Sequence, residues 1–548
     1  MQIVSIGKLF FLGIFPVPHD FILIYNSFMS QIFNAPRILI AAPKSGSGKT
    51  TLTCAFLQFL KNHGKNPVSF KCGPDYIDPM FHERVLGVPS TNLDSYFCSE
   101  EQIREIFLRN ATSADTKNQN SESFAVIEGV MGLFDGLAGT SLKASSYDIA
   151  RITKTPILLV VDAEGASRSI VPLVKGFLAY DKENSGTGEN LIKGIFLNKT
   201  SKSQFMILKK LIEEECAEND IKVVGFLSKN PDDVWKSRHL GLILPSEIEN
   251  LQAQIQKTAE SLEDTLDFEE LERIMHWALR GVPAEGVESD GSGTAFTETR
   301  LKTRLTSFSA KADGSLGETS PILQASTFNF PLSASHFPLS SSLAVAFDEA
   351  FCFYYRENLR MLEEAGFQIK YFSPLHDKTI PKDTDALLLG GGYPELYAAE
   401  LESNKSMRES IKSALKNGVS VMAECGGFMY LQEKLTTQEG KSYEMCGAIK
   451  GECSYTEKLV RFGYAEFTKK ADSANSGCNK MPFSIKGHEF HYFDSTNNGS
   501  DFTASKPLSK KSWECMIFTP KMLAGFPHLY YRSNPEIIKW FAESCKKY

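Results

Sequence analysis

The chain has 548 residues, of which 42% are hydrophobic and 23% charged, and its formal net charge is -7. This length predicts roughly two to four domains rather than a single core. A mildly acidic chain without a long basic run argues against nucleic acid as the main partner. Eleven cysteines without a CxxC pair fit a reducing, cytoplasmic location and argue against a disulfide framework or a zinc ribbon.

Residues 1–36 form a leader that we expect not to be part of the fold. Its apolar run at residues 9–17 is interrupted by Pro16 and is shorter than the roughly 20 apolar residues of a membrane span. The leader also lacks the small-residue cleavage site of a signal peptide. We interpret Met29 as the true start, or the leader as a disordered arm, and we expect no membrane association.

Residues 37–280 show the alternation of buried strands and helices that is typical of an α/β domain. Apolar, β-branched runs predict parallel strands, and a helix is expected at 49–62. Such alternation predicts a mostly parallel, doubly wound sheet. The polar run at 181–190 is interpreted as a loop. The predicted strands span residues 37–42, 67–71, 124–128, 156–162, 191–197 and 222–227.

The first strand is followed by a phosphate-loop pattern. The sequence APKSGSGKTT ends in the required Gly-Lys-Thr, although Pro43 stands where the first glycine usually lies. Small residues let backbone N–H groups face a triphosphate, and the following helix adds its positive end. Lys49 would neutralise phosphate oxygens, and the Thr50 hydroxyl would bind Mg²⁺. The predicted ATP-binding residues are Lys44, Ser45, Gly46, Ser47, Gly48, Lys49, Thr50 and Thr51.

Acidic residues follow several predicted strands. Glu128 and Asp162 lie at strand ends, where a metal beside the phosphate loop would be bound, and either could instead cap a helix. We favour Glu128 as the metal ligand. Asp75 and Asp78 lie so close in a Gly/Pro-punctuated loop that they would repel unless a cation or a substrate group needs them; the alternative is a solvated turn.

Residues 281–342 are rich in Ser, Thr, Gly and Ala, and we interpret them as a flexible linker or insertion. A second α/β domain is expected at 343–548, with strands at 343–347, 368–372, 386–389 and 419–423. The tail beyond residue 441 is expected to add further strands that close this domain.

The last of these strands leads into Cys425 and two glycines, the arrangement of a nucleophile elbow. The following helix N-terminus is expected to lower the pKa of the thiol. Gly391 and Gly392 follow another strand and could present N–H groups to an oxyanion. The candidate bases are His488, His491 and His528.

Together these motifs resemble the cobyrinate a,c-diamide synthase family, over residues 37–281 and 344 to the C-terminus. Further matching motifs are NLD at 92–94, EGVMGLFDG at 128–136, RHLGL at 238–242, DEAFCFYY at 348–355 and GHEFHYF at 487–493. The resemblance implies a P-loop NTPase-like domain that binds ATP and tetrapyrrole, joined to a class I glutamine amidotransferase-like domain. It also implies that ATP activates a carboxylate as an acyl phosphate, with Mg²⁺, and that ammonia from glutamine displaces the phosphate.

The resemblance also assigns roles to residues. Cys425 would be the nucleophile and His528 its base, and Tyr530 stands where triad glutaminases carry an acid, so a Cys–His dyad is expected. Asp75, Tyr76 and Asp78 would contact substrate, with Asp75 also near the metal. The segment with His488, Glu489 and His491 would shape the substrate or interdomain surface.

The sequence leaves four points open. The acceptor could be cobyrinate, its metal-free counterpart, or the nickel-sirohydrochlorin of methanogens, since all carry the same a and c acetate arms. Cobyric acid synthase is a related alternative, although it should lack GHEFHYF. A MinD/ParA-like switch ATPase is an alternative of a different class, but it would lack the Cys425 domain. A homodimer is also left open.

Overall fold

The computed structural model describes residues 35–112, 122–229, 251–277, 341–470 and 484–546. The predicted leader up to residue 34, the predicted linker from 281 to 340, and the RHLGL motif lie outside these residues. None of the helices in the described ranges combines the length and the apolar character needed to cross a membrane.

Seven strands form the sheet of the N-terminal half. In spatial order they are β3-β2-β4-β1-β5-β6-β7, and all neighbours are parallel. The six strands predicted from the sequence are confirmed, and β3 was not predicted. The predicted strands were recognisable because continuous apolar runs such as that of β1 are buried on both faces. The strands are β1 (Arg37–Ala41), β2 (Asn66–Cys72), β3 (Ser90–Leu93), β4 (Ser123–Glu128), β5 (Ile157–Asp162), β6 (Ile192–Asn198) and β7 (Lys222–Leu227).

Helices connect these strands, and the helix predicted at 49–62 is confirmed. The prediction of a loop at 181–190 is wrong for its first residues, because the helix Ile170–Asn184 (α4) extends into it. Asp181 on that helix is buried and accepts hydrogen bonds from Ile192 N at 2.8 Å and from the Tyr147 hydroxyl at 3.0 Å. The longer helices are α1 (Lys49–Asn62), α2 (Glu100–Thr112), α3 (Ser146–Thr153), α4 (Ile170–Asn184), α5 (Lys202–Glu215), α6 (Leu251–Thr265) and α7 (Phe268–Met275). A four-residue helix, Ile77–Met80, and a π-helix, Phe81–Val85, follow β2.

The C-terminal half is built on a six-stranded sheet of order β10-β8-β11-β13-β23-β22, parallel except for its last pair. The strands predicted at its core are confirmed as β8, β10, β11 and β13. Its first strands are β8 (Ser341–Ala346), β9 (Phe351–Phe353), β10 (Phe367–Phe372), β11 (Ala386–Leu389), β12 (Gly391–Gly392) and β13 (Ser420–Glu424). The helices are α8 (Arg356–Glu364), α9 (Ala398–Ser403), α10 (Lys405–Lys416), α11 (Gly426–Leu431) and α12 (Glu536–Ser544).

The extra strands expected beyond residue 441 are present. They pair in a four-stranded sheet β15-β14-β16-β19 and a five-stranded antiparallel sheet β21-β20-β17-β18-β24. The bounds are β14 (Lys434–Thr436), β15 (Ser442–Glu444), β16 (Glu452–Tyr455), β17 (Arg461–Lys469), β18 (Ser484–His491), β19 (Phe493–Ser495), β20 (Phe502–Ser505), β21 (Ser512–Cys515), β22 (Ile517–Thr519), β23 (Met522–Gly525) and β24 (His528–Leu529).

The two halves share one compact unit and pack through aromatic rings. Tyr76, in the loop after β2, stacks on Phe353 of β9 with ring centroids 5.0 Å apart. Phe97 stacks on Tyr530 at 4.9 Å. These rings extend the apolar core of the N-terminal half into the C-terminal half.

An ionic cluster lies at the same contact between the halves. Glu357 of α8 is buried and accepts hydrogen bonds from Arg109 of α2 at 2.8 Å and from Arg532 at 2.9 Å. Arg532 also pairs with Glu105 of α2. Because Arg532 follows β24 closely, this cluster fixes the end of β24 against the N-terminal half.

Candidate active site

The loop between β1 and α1 has a conformation that requires glycine. Gly46 and Gly48 have φ values of 78° and 94°, in the region that side chains disfavour. A Cβ built at Gly48 would lie 2.1 Å from Asn198 Nδ2, and that amide donates to Ser47 O at 2.9 Å. A side chain at Gly48 would therefore also require the Asn198 side chain of β6 to shift.

The lysine and threonine of the loop contact β4 and the segment that follows it. The Lys49 ammonium group donates to Met131 O at 2.6 Å, and burial, followed by Lys71, lowers the pKa of Lys49 to about 8. Thr50 Oγ1 donates to Glu128 Oε1 at 2.6 Å. Lys44 is exposed.

A buried lysine lies at the centre of the predicted acidic site. Lys71 Nζ lies 2.5 Å from Asp78 Oδ2, 3.1 Å from Glu128 Oε1 and 3.6 Å from Asp75 Oδ2. Burial lowers the pKa of Lys71, but the three carboxylates outweigh burial and hold that pKa well above its usual value. The cation that Asp75 and Asp78 need is therefore supplied within the chain itself.

Asp75 and Asp162 both take part in tight turns. Asp75 Oδ1 accepts from Ile77 N at 2.8 Å, and burial, followed by Asp78, raises the pKa of Asp75 to about 6. Asp162 accepts from Lys199 Nζ at 2.6 Å and from Glu164 N at 3.0 Å. Turn chemistry thus accounts for Asp162, whereas Asp75 also faces Lys71.

The Lys71 ammonium group lies among the predicted magnesium ligands. The predicted magnesium ligands Thr50, Asp75 and Glu128 all offer oxygen atoms, which Mg²⁺ prefers. The described part of the chain contains no group of three or more His, Cys, Asp or Glu side chains arranged to hold a metal ion. His82 Nε2 lies 3.1 Å from Glu128 Oε2, but the two atoms are not aligned for a hydrogen bond.

Cys425 lies in a strained turn between β13 and α11. Its φ of 48° and ψ of -104° place a residue with a side chain in a sparsely populated region, at a cost of about 1–3 kcal/mol. Cys425 N donates to Gly525 O at 2.8 Å. A Cβ built at Gly427 would lie 2.1 Å from Leu389 O, so glycine is needed for α11 to approach β11. This is the backbone of a nucleophile elbow.

The predicted oxyanion glycines lie between this turn and His528. A Cβ built at Gly391 would lie 2.4 Å from His528 Cε1, and one built at Gly426 would lie 3.2 Å from Gly392 N. At Gly392, a Cβ would lie 2.1 Å from Ala350 O. The structure therefore brings the elbow, the two glycines and His528 to the same edge of the sheet.

The His528 ring is packed among aromatic rings. It stacks on His488 with ring centroids 5.0 Å apart and an interplanar angle of 17°, and it contacts Tyr76 at 5.3 Å. Burial, followed by His488 and His491, holds the pKa of His528 well below its usual value. His528 is therefore neutral at neutral pH, and its buried surroundings disfavour the protonated form.

The GHEFHYF segment divides into two environments. His488 faces the contact between the halves, where its Nδ1 hydrogen-bonds with the Tyr355 hydroxyl at 3.0 Å. His491 Nε2 instead lies 3.0 Å from Glu489 Oε2, and its ring stacks on Phe526 at 4.0 Å. His488 therefore contacts the N-terminal half through its ring, whereas Glu489 and His491 pair with each other.

The prediction that the Cys425 thiol has a lowered pKa is wrong for this structure. Burial raises the pKa of Cys425, the Glu395 carboxylate adds to this effect, and a hydrogen bond from Gly426 N opposes it only in part. Helix α11 is short, so its N-terminus is outweighed by the buried surroundings. The thiol and the His528 imidazole are therefore both neutral in this structure at neutral pH.

Sequence reasoning missed several buried charged groups at this site. Lys71 could have been found, because a lysine within an apolar buried strand needs a partner. Glu424 precedes the nucleophile, accepts a hydrogen bond from the Tyr531 hydroxyl at 3.2 Å, and has a pKa raised by burial to about 8. The sequence offers no comparable signal for Glu395, whose proximity to Cys425 depends on the tertiary fold.

Two family models match the chain. Residues 38–242 match a CobQ/CobB/MinD/ParA nucleotide binding domain, and residues 342–531 match a CobB/CobQ-like glutamine amidotransferase domain. These matches confirm the predicted fold class, a P-loop NTPase-like half followed by a glutamine amidotransferase-like half. A switch ATPase of the MinD/ParA kind does not account for the second match.

Similar proteins cover nearly the whole chain. The cobyrinate a,c-diamide synthase of Caldanaerobacter subterraneus subsp. tengcongensis is 34% identical over 514 residues, which is 93% of this chain and 98% of that protein. Proteins of the same name from Listeria innocua and Thermoplasma volcanium are each 34% identical over 92% and 94% of this chain and 98% of their own length. The chain therefore belongs to the cobyrinate a,c-diamide synthase family, and it is an enzyme, a C–N-forming ligase that takes its amido group from glutamine.

Proposed function

We propose that this enzyme amidates the a- and c-acetate carboxylates of cobyrinate or nickel-sirohydrochlorin with ATP and glutamine. The observation that carries the proposal is the strained turn at Cys425, bordered by Gly391, Gly392 and His528, within one compact unit with the phosphate loop. The relatives named cobyrinate a,c-diamide synthase support a corrin-type acceptor. Nickel-sirohydrochlorin is included because it carries the same two acetate arms.

The C-terminal half would release ammonia from glutamine. His528 takes the proton of the Cys425 thiol as the sulfur attacks the glutamine amide carbon. The N–H groups of Gly391 and Gly392 would stabilise the oxyanion that forms. Ammonia leaves with a proton returned by His528, and water then hydrolyses the thioester to glutamate. His528 begins unprotonated, as a general base must. Because burial disfavours both the thiolate and the imidazolium, the proton would move as the sulfur attacks.

The N-terminal half would activate the acceptor carboxylate. Transfer of the terminal phosphoryl group of ATP to an acetate oxygen gives an acyl phosphate, and ammonia attacks its carbonyl carbon and expels phosphate. Lys49 would neutralise the charge that develops on the transferred group. Thr50, Asp75 and Glu128 would hold Mg²⁺, which when bound neutralises phosphate charge. Tyr76 and Asp78, together with Asp75, would contact the acceptor.

The acceptor is tested by offering each of the three tetrapyrroles separately. The full-length chain is incubated with ATP, Mg²⁺ and glutamine and with cobyrinate, its metal-free counterpart or nickel-sirohydrochlorin, and products are identified by mass spectrometry. We expect two amidations of at least one acceptor, with one ATP and one glutamine consumed for each. No amidation of any of the three would contradict the proposal, and amidation beyond the diamide would favour the cobyric acid synthase-like alternative.

A further inference from the structure

The proposed glutaminase base contacts a side chain from the other half of the molecule. Tyr76 lies in the loop between Asp75 and Asp78, and its ring centroid is 5.3 Å from that of His528. Only 8% of Tyr76 is exposed, because its other neighbours are the rings of Phe353 at 5.0 Å and His488 at 5.8 Å. The acceptor loop therefore packs directly against the residue expected to deprotonate Cys425.

His528 has no carboxylate to orient it among the residues that the structure describes. Its Nδ1 atom is buried and has no hydrogen-bond partner there, and Tyr530 occupies the position two residues later. The nearby buried carboxylates are engaged elsewhere: Glu424 accepts from the Tyr531 hydroxyl at 3.2 Å, and Glu489 lies 3.0 Å from His491 Nε2. The orientation of the His528 ring therefore depends on the rings packed against it.

Tyr355 connects two of these rings. The Tyr76 and Tyr355 rings pack with centroids 4.6 Å apart, and the Tyr355 hydroxyl hydrogen-bonds with His488 Nδ1 at 3.0 Å. Tyr76 and His488 are therefore fixed relative to one another, and both contact His528. Tyr355 is almost fully buried, so water does not readily replace it in this chain of contacts.

We propose that Tyr76 is a positioning residue for the glutaminase base, so that glutamine cleavage in one half depends on the acceptor loop of the other half. The inference rests on the proposed function, in which Cys425 and His528 open glutamine and the 75–78 loop receives the acceptor. Misplacing a reacting group by about 1 Å can cost about 100-fold in rate. Loss of the Tyr76 ring is therefore expected to slow glutamine cleavage even when no acceptor is present.

The test compares Tyr76→Ala and Tyr76→Phe in the full-length chain without ATP or tetrapyrrole. Glutamate release is measured, together with the labelling rate of Cys425 by the glutamine analogue 6-diazo-5-oxo-norleucine. Phe205→Ala is the matched control, because Phe205 is also 8% exposed and stacks on Phe226 at 4.5 Å, at the opposite edge of the N-terminal sheet. Binding of a fluorescent ATP analogue reports an intact fold.

We expect Tyr76→Ala to lower kcat and the labelling rate at least about tenfold, with the KM for glutamine unchanged. Tyr76→Phe and Phe205→Ala should stay within about twofold of wild type. Wild-type rates in Tyr76→Ala would overturn the inference, since a residue that only contacts the acceptor has no effect without it. An equal loss in Phe205→Ala would also overturn it. Absence of Cys425-dependent glutamate release from the wild type with ATP, Mg²⁺ and each acceptor would instead contradict the proposed function.

Discussion

Replacing Lys71 by Met removes the buried cation from between three carboxylates. Lys71 Nζ lies 2.5 Å from Asp78, 3.1 Å from Glu128 and 3.6 Å from Asp75. At an effective dielectric constant of about 20, a pair of unit charges 4 Å apart interacts by about 4 kcal/mol. The cost of removing the ammonium group from water opposes the summed attraction of the three ion pairs. Breaking a buried ion pair by removing one partner costs about 3–5 kcal/mol, and we expect Lys71→Met to lose stability of that size.

The assay is urea denaturation followed by tryptophan fluorescence at several pH values. Without Lys71 the three buried carboxylates lose their counter-charge, which favours proton binding in the folded state. The deficit relative to wild type is therefore largest at neutral pH and shrinks as the pH falls. Lys175→Met is the matched control, because Lys175 pairs with Glu215 at 2.9 Å on the exposed surface, and its midpoint should not change. An unchanged midpoint for Lys71→Met at neutral pH, or a deficit independent of pH, would refute this reasoning.

Three further changes test other parts of the site. The pKa of Glu424 is raised from 4.5 to about 8 in the folded state, so wild type loses stability as the pH rises through this interval. Glu424→Gln should therefore flatten the pH dependence of the thermal midpoint, and an equally steep loss in the variant would contradict this. Gly427→Ala should lower glutamine-dependent turnover at least about tenfold, because its Cβ would lie 2.1 Å from Leu389 O, whereas Gly176→Ala, with no atom within 4 Å, should leave turnover unchanged. Lys49→Ala should abolish amidation with glutamine and with ammonia alike, a loss of at least about 3–4 kcal/mol, and full ammonia-dependent activity would contradict its role at ATP.

The apolar strands of the N-terminal sheet could be predicted from the sequence, whereas its polar strand was missed. Strand β3 (Ser90–Leu93) was not predicted, because its Ser, Thr and Asn residues are not typical of a buried strand. Asn92 Nδ2 donates to Gly73 O at 2.9 Å and to Asp75 O at 2.7 Å, so its burial depends on partners far along the chain. The end of α4 was missed for the same reason. The Asp181 carboxylate accepts hydrogen bonds from Ile192 and Tyr147, which lie in other elements of the fold.

The local geometry of the thiol turn follows from sequence, but its electrostatics do not. Two glycines after Cys425 indicate a tight turn, and the close contact of Gly427 with Leu389 O supplies the reason. The pKa of Cys425 depends on burial and on Glu395, which the sequence does not place beside it. The same holds for Lys71, whose three partners come from the segment that follows β2 and from the neighbouring strand β4.

The most direct test of the account is the nitrogen source used by Cys425→Ala. Initial rates of tetrapyrrole amidation are measured with glutamine and with ammonium salt at elevated pH, for wild type, Cys425→Ala and His528→Ala. We expect Cys425→Ala to lose glutamine-dependent amidation and keep ammonia-dependent amidation, because external ammonia reaches the acyl phosphate without the thiol. His528→Ala should show the same selectivity in a milder form. Glutamine-dependent turnover retained by Cys425→Ala would contradict the account at its centre.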